Sequence, residues 1–279
     1  MFLIADSGAT KTTWCLLGGS KKKIVETQGI SPYYLETSQM VEVLEKELLG
    51  KIKNVEIDTI YFYGTGCSNA HNIKMVKTAL KKAIPAAKNI HVDHDLMAAA
   101  KALCGNEKGV ACILGTGSNS CVFNGKKITK NNPAPGFILG DEGSGAYLGK
   151  KVLQHHIYNT FDEDLQHKFK LKYDTNYPQI LDHVYRQPFP SRYLASFTSF
   201  LSENRGHYMI ENIIEDGLSD FFFSHLYKYT ETWTTPIHFV GGIAWHFKDV
   251  LKELCNSFEL QLGKIIKAPM DGLIVYHNS

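Results

Sequence analysis

Hydrophobic residues along the chain fall into short β-type runs and longer helical stripes. Phe2 to Ala5 and Thr13 to Leu17 are apolar runs on either side of a small-residue segment, Asp6-Ser7-Gly8-Ala9-Thr10-Lys11-Thr12, which predicts a hairpin. From Thr37 to Leu49 the apolar positions Met40, Val41, Val43, Leu44, Leu48 and Leu49 suit one amphipathic helix. Asp58 to Tyr63 predicts a strand leading into Gly64-Thr65-Gly66, His71 to Ile84 a helix, and Asn89 to Val92 a strand. Asp95 then opens an alanine-rich helix that stops near Gly105. The opening pattern recurs at this point. Val110 to Leu114 is an apolar run, Gly115-Thr116-Gly117-Ser118-Asn119 a small-residue loop, and Ser120 to Phe123 a second run. Strand, loop and strand at 2–17 and again at 110–123 form a weak repeat that predicts two structural halves. Lys150 to about Thr232 is helical in pattern, broken at Pro188 and Pro190, with Phe221, Phe222 and Phe223 expected in the core. Pro236 to Val240 predicts a strand that runs into Gly241-Gly242, then a helix with Phe247, Val250, Leu251 and Leu254 on one face.

These elements describe an α/β chain, and 279 residues suffice for one large domain or two medium ones. Apolar residues at 44% against 21% charged exclude a disordered chain. Lys plus Arg at 30 against Asp plus Glu at 28 leaves a net charge of +2, which carries no signature of nucleic-acid or acidic-membrane binding. No stretch approaches the roughly 18 unbroken apolar residues of a spanning helix. The apolar start is cut by Asp6, too early for a signal-peptide core, so a cytoplasmic protein is expected. The six cysteines are scattered, which suggests neither a zinc ribbon nor a disulfide framework.

Several segments can carry chemistry. Glycine and hydroxyl residues in the Asp6–Thr12 hairpin expose backbone N–H groups that suit phosphate oxygens; Lys11 adds positive charge, and Asp6 at the strand end suits a hydrated Mg²⁺. The same loop reads equally as an ordinary hairpin turn. It is not a Walker A loop, because Thr10 rather than Gly precedes Lys11 and a strand follows. The second loop, Gly115 to Ser120, offers the same donors in the same context, and two such loops favour a nucleotide held by both halves. In Gly140-Asp141-Glu142-Gly143-Ser144-Gly145, Asp141 reads either as the cap of the following helix or as a carboxylate for sugar hydroxyls. Asp93 and Asp95 lie at a strand's carboxyl end, where open α/β sheets place their chemistry; Asp95 is either a helix cap or a base that takes the proton of an attacking hydroxyl. Gly241-Gly242 is a common strand-to-helix turn that also lets a flat ring rest on the backbone. Neither His91, Asp93, His94 and Asp95 nor His155 and His156 have the spacing of a zinc enzyme.

In this order the motifs are recognisable. Asp6 to Thr12 resembles the first phosphate motif of the actin/hexokinase/heat-shock-chaperone superfamily, Ile113 to Ser120 its second, and Val240-Gly-Gly-Ile-Ala244 its adenosine motif. Gly136-Phe-Ile-Leu-Gly-Asp-Glu-Gly-Ser-Gly145 is similar to the signature of the N-acetylglucosamine kinase branch, grouped with the BadF/BadG/BcrA/BcrD-type ATPases. Chain length and Tyr61-Phe-Tyr-Gly-Thr-Gly-Cys67 resemble that branch's short bacterial members.

The resemblance implies two actin-like (ribonuclease H-like) domains, each a mixed sheet flanked by helices, with an interdomain cleft. The domains are expected at 1–104 and 105–279, the last helix being free to pack back on the first. It implies transfer of the γ-phosphoryl of Mg-ATP to a primary hydroxyl of an amino sugar, N-acetylglucosamine first, giving the 6-phosphate. Asp95 matches the catalytic aspartate. Gly8, Thr10, Lys11 and Thr12 would face the phosphates from one domain and Gly115, Thr116, Gly117 and Ser118 from the other. Gly241 and Gly242 would line adenine and ribose, and Asp6 would organise Mg²⁺ through water. Ser31, Thr116, Gly136 and Asp141 join Asp95 as sugar contacts, and a homodimer is the family's suggestion. Two residues depart from the pattern. Ser7 stands where the first motif usually has Gly, and Ser31 stands where related kinases carry an Asn that contacts the sugar. Two other functions fit parts of the pattern: a non-catalytic sugar or nucleotide sensor, and an ATPase activator of a dehydratase. The dispersed cysteines count against the second, which needs an iron–sulfur cluster.

Overall fold

The computed structural model describes residues 1–8, 10–18, 21–52 and 55–278; Ala9 of the first small-residue loop lies outside them. The chain divides into two compact units, Met1–Asn106 together with Pro269–Ser279, and Glu107–Ala268.

The first unit is built on β1 (Phe2–Ser7), β2 (Lys11–Gly18), β3 (Lys21–Gln28), β4 (Thr59–Gly64) and β5 (Asn89–His94), in the order β3-β2-β1-β4-β5. β1–β2 and β2–β3 are antiparallel, while β1–β4 and β4–β5 are parallel. The second unit holds β6 (Lys108–Leu114), β7 (Ser118–Asn124), β8 (Ile128–Asn131), β9 (Ile237–Val240) and β10 (Leu262–Ile266), in the order β10-β9-β6-β7-β8. Its β6–β7 and β7–β8 pairs are antiparallel and its β6–β9 and β9–β10 pairs parallel. The two sheets therefore share one topology, and the weak repeat seen in the sequence is a structural one.

Both hairpins form where the apolar runs place them. β3, β8 and β10 were not anticipated, and for β3 and β8 the composition explains why. Lys21-Lys22-Lys23 and Ile128-Thr129-Lys130-Asn131 are lysine-bearing sheet edges, which keep unpaired strands from recruiting other chains but erase the apolar alternation. The stripe from Thr37 to Leu49 is an α-helix only to Val43 and continues as a π-helix over Leu44–Leu49. The helical pattern is interrupted at the prolines as expected, over 186–189 between the helices Tyr177–Tyr185 and Pro190–Ser196, and Pro190 opens the second of them. It occupies the first turn of Pro190–Ser196, where its missing N–H costs nothing.

Each unit buries its own core. In the first, Leu3, Ala5, Trp14, Ile60 and Phe62 of the sheet meet Met40, Leu44, Val76 and Leu80 of the helices, and the Trp14 indole N–H donates to Thr27 Oγ1 at 3.0 Å. In the second, Val110, Cys112 and Phe239 of the sheet pack on Leu148, Val152, Ile214, Leu218, Phe221 and Phe222. Phe223, expected inside with its two neighbours, is 53% exposed. One further residue round the helix carries it off the core face, where it stacks on Tyr227. The C-terminal helix Met270–Asn278 lies on the helix Asp95–Cys104, and Tyr63 OH meets His277 Nε2 at 2.9 Å. All six cysteines are buried. No helix among the described residues is long and apolar enough to cross a membrane.

Candidate active site

The predicted residues assemble into two groups, one in each unit. In the first, β1 ends at Asp6 and Ser7. The Ser7 and Thr12 hydroxyls lie 2.6 Å apart, and both accept the Ile30 amide at 3.1 Å. Ser7 Oγ also donates to the Ile30 carbonyl at 2.8 Å. Ser7 is thus a tie between the phosphate-type hairpin and the Ile30–Ser31 segment, a role a glycine cannot fill. Thr12 is fully buried and its hydroxyl is engaged within this network, so it shapes the loop from inside. Gly8 N donates to the Lys11 carbonyl and Gly29 N to the Thr10 carbonyl, each at 3.0 Å, closing the turn. Thr10 and Lys11 stand at the surface, Lys11 paired with Glu26 at 2.7 Å.

Asp95 begins its helix directly after β5. Its Oδ1 accepts the Leu96 amide and its Oδ2 accepts Thr65 Oγ1, each at 2.8 Å. Two of the roughly four lone-pair sites of the carboxylate are used, and the rest stay available for an incoming hydroxyl. Thr65, which orients this carboxylate, was not singled out in the sequence, although the Gly64-Thr65-Gly66 turn marked the spot. Ser31 is buried and its hydroxyl donates to the Thr65 carbonyl at 3.2 Å, so Ser31 sits one residue from Asp95 in this chain of contacts.

Burial, then the neighbouring charge of Asp95, pushes the Asp6 carboxyl up to about 6, with Lys11 opposing. A carboxyl raised in the folded state stabilises the fold below the unfolded value near 3.8, and that contribution is lost as pH rises through about 6. Above that pH the fold carries a desolvated anion at a cost of about 3 kcal/mol. Asp6→Asn should therefore melt later than the parent at pH 8, by about 2 kcal/mol in stability, with the gap closing by pH 4. Thermal unfolding at the two pH values checks this; equal gains at both would remove the electrostatic explanation.

In the second unit three segments meet. The loop after β6 turns on Gly115 N donating to the Gly117 carbonyl at 3.0 Å, and Thr116 is exposed at its tip. The helix Gly145–Ile157 points its first amides at this loop: Gly145 N donates to the Gly115 carbonyl at 2.8 Å and Ala146 N to the Thr116 carbonyl at 3.0 Å. Asp141 does not cap that helix. Ser144 is the cap, accepting the Tyr147 amide, which frees Asp141. Asp141 instead takes a left-handed backbone (φ 57°) and accepts the Ser118 amide at 3.3 Å. Burial holds its carboxyl above the usual range; the Ser118 amide opposes this and the Glu142 charge adds to it. Ser118 Oγ is buried and has no hydrogen-bond partner among the described residues. Gly241, at φ 130°, passes so close to the Leu114 carbonyl oxygen that any Cβ would overlap it, bringing the strand-to-helix turn against the loop. Gly242 opens the short helix Gly242–His246 with nothing above it, and Gly136 opens the single turn Gly136–Leu139 ahead of Asp141.

No protein-family model matches the chain, and a search of curated proteins finds no match. Solved structures do. The "putative N-acetylglucosamine kinase" of Porphyromonas gingivalis is 38% identical over 99% of this chain and 98% of its own, with a TM-score of 0.95. A protein of the same description from Chromobacterium violaceum has a TM-score of 0.76 at 15% identity, covering 99% of this chain and 98% of its own. A ROK family glucokinase from Streptomyces griseus, solved with glucose and AMPPNP, has a TM-score of 0.59 at 13% identity over the same shares. The last two share the fold, two mixed five-stranded sheets flanked by helices in the manner of actin-like sugar kinases. With 38% identity over almost its whole length, the chain belongs to the sugar-kinase family of the Porphyromonas gingivalis protein.

Proposed function

We propose that the protein phosphorylates an amino sugar, N-acetylglucosamine, on its primary hydroxyl at the expense of Mg-ATP, in the cytoplasm. The observation that carries this reading is Asp95: a carboxylate at a strand's carboxyl end, aimed by Thr65 and its own helix, with lone pairs to spare. Asp95 takes the proton of the attacking hydroxyl as the bond to phosphorus forms. Gly8, Thr10 and Lys11 are assigned to the ATP phosphates, as are Gly115, Thr116, Gly117 and the unpartnered Ser118 hydroxyl. Gly241 and Gly242 offer bare backbone to adenine and ribose. Asp6, desolvated and with a raised carboxyl, fits a site whose charge is completed by a cation held through water. Mg²⁺ bound there supplies positive charge to the phosphates during transfer. Asp141 and Gly136 are assigned to the sugar together with Thr116. Ser31, where an Asn is expected, is buried and its hydroxyl is engaged by the Tyr33 amide at 3.4 Å and the Thr65 carbonyl at 3.2 Å, so its contribution to the sugar site is its shape.

The test is ADP release by pure protein with Mg-ATP and a panel of N-acetylglucosamine, glucosamine, N-acetylmannosamine, glucose and a muramic-type sugar. N-acetylglucosamine should give a turnover of at least about ten times that of any other, the discrimination expected when a site is built around one polar substituent. A response to another sugar would keep the transfer and change the substrate. ATP bound with no sugar response would sink the kinase reading in favour of a sensor.

A further inference from the structure

Beside the assigned sugar ligand Asp141 stands a second carboxylate, Glu142, and behind it a buried polar chain with no part in phosphate, nucleotide or metal binding. Its members come from distant segments of the second unit. The Asn132 amide, which can only donate, gives its hydrogen to Tyr229 OH at 2.7 Å. The Tyr229 proton is then directed at Ser120, whose Oγ lies at 3.0 Å and carbonyl oxygen at 3.1 Å. Ser120 Oγ in turn lies 3.1 Å from Nδ1 of His225, and the far nitrogen of that ring, Nε2, is 3.8 Å from Glu142 Oε2.

The direction of this chain follows from its two ends, the Asn132 amide and the Glu142 carboxylate. If His225 carried its proton on Nδ1, its bare Nε2 lone pair would face a carboxylate in a ring environment only 2% exposed, an uncompensated repulsion. With the proton on Nε2, every donor has one acceptor: Asn132 to Tyr229, Tyr229 to Ser120, Ser120 to His225, and His225 toward Glu142. The ring cannot turn away. It stacks on Phe221 at 4.7 Å, and Asn132 Nδ2 holds the His225 carbonyl at 2.7 Å. The serine–histidine–carboxylate order superficially matches a hydrolase relay, but Ser120 is fully buried and cannot reach a substrate. The outlet of the chain is Glu142, which keeps 24% of its side chain exposed.

The geometry points to Glu142 as a second sugar-binding carboxylate, accepting a hydroxyl next to the one held by Asp141, and to His225 as the positioning residue that presents it. This rests on the amino-sugar kinase reading. At 3.8 Å the His225–Glu142 contact is looser than a hydrogen bond, so the carboxylate is steered rather than locked and can settle on a ligand. The groups facing His225 are Ser120 from β7, Tyr229 from the turn after its helix, Phe221 and Glu142; Glu142 is the charged one among them.

Kinetics of Glu142→Gln, His225→Leu and His225→Gln decide it. Glu142→Gln and His225→Leu should each raise the sugar KM about tenfold or more and leave the ATP KM within about twofold, as expected when a charged acceptor is lost or misplaced. His225→Gln keeps an N–H at the end of the side chain and should recover most of the sugar KM. A folded His225→Leu protein with an unchanged sugar KM overturns the proposal. So does a His225→Gln protein as impaired as His225→Leu, since packing alone would then explain the residue. Absence of sugar phosphorylation by the parent protein overturns the kinase reading and this one with it, whereas an active parent with indifferent variants overturns this one alone.

Discussion

Asp95→Asn should lower kcat for sugar phosphorylation by at least about a thousandfold while ATP still binds within about threefold of its normal affinity. The amide is the same size as the carboxylate, and its oxygen can still accept from Thr65 or from the Leu96 amide, so the start of the helix Asp95–Cys104 survives. What disappears is an acceptor basic enough to take the hydroxyl proton as transfer proceeds. Asp6 offers an internal control. Part of its raised carboxyl comes from the charge of Asp95, so the substitution should also bring Asp6 down toward its ordinary value. Calorimetric ATP titration alongside steady-state kinetics separates the outcomes. An Asp95→Asn protein that keeps more than about a tenth of the parent kcat is incompatible with Asp95 as the base. Thr65→Val, which removes the orienting hydroxyl but leaves the base, should cost less, about tenfold.

Gly149→Ala should destabilise the second unit by roughly 3 kcal/mol, a large effect for a single added methyl. Gly149 lies on the helix Gly145–Ile157 where it crosses Pro190–Ser196, and a Cβ there would overlap the carbonyl oxygen of Leu194. That neighbour is backbone, not the end of a flexible side chain. The two helices must therefore part, and the loss of packing spreads to Val152, Leu148 and Leu194 in the core. The displaced helix carries the Gly140–Gly145 loop at its N-terminus, so the surviving folded protein should also show a raised sugar KM. Gly50→Ala is the control, because nothing among the described residues lies within 4 Å of the added methyl, and its melting temperature should stay level or rise slightly. Denaturant unfolding of the two variants is the measurement. Equal stabilities would mean that the Gly149 contact yields without cost.

The substrate assignment and the fold depend on different residues. The sugar-kinase fold rests on two sheets of like topology, which any of many sequences can satisfy. In the proposed reading, the choice of N-acetylglucosamine is assigned to a few groups in the second unit: Asp141 with its left-handed backbone, the bare Gly136, and Glu142 beside His225. These are separable by experiment, since a change of sugar preference would leave Asp95, Asp6 and both phosphate loops with the same tasks.

Much of this was legible in the chain itself. Both hairpins, the parallel strands β4, β5 and β9, the alanine-rich helix after Asp95 and the strand-to-helix turn at Gly241 all come from local patterning: alternation, helical stripes and small residues at tight turns. The positions of the two small-residue loops and of Asp95 are equally local, because each stands at a strand end, whereas the roles proposed for them come from the family resemblance. What the chain did not disclose depends on residues far apart in it. Thr65 reaches Asp95 across 30 positions, and Ser120 meets His225 and Tyr229 across 105 and 109. The edge strands β3 and β8 belong to the same class, being recognisable only by the strand each pairs with. Whether Asp141 caps a helix or faces a ligand was likewise undecidable locally, since Ser144 competes for the same amides and prevails only once the helix docks on Gly115 and Thr116. Short-range pattern thus determined most of the central strands and helices and where the small-residue loops and Asp95 stand. Only tertiary packing decided which side chains those groups are held by, because hydrogen-bond partners in a buried site are chosen by proximity in space and not along the chain.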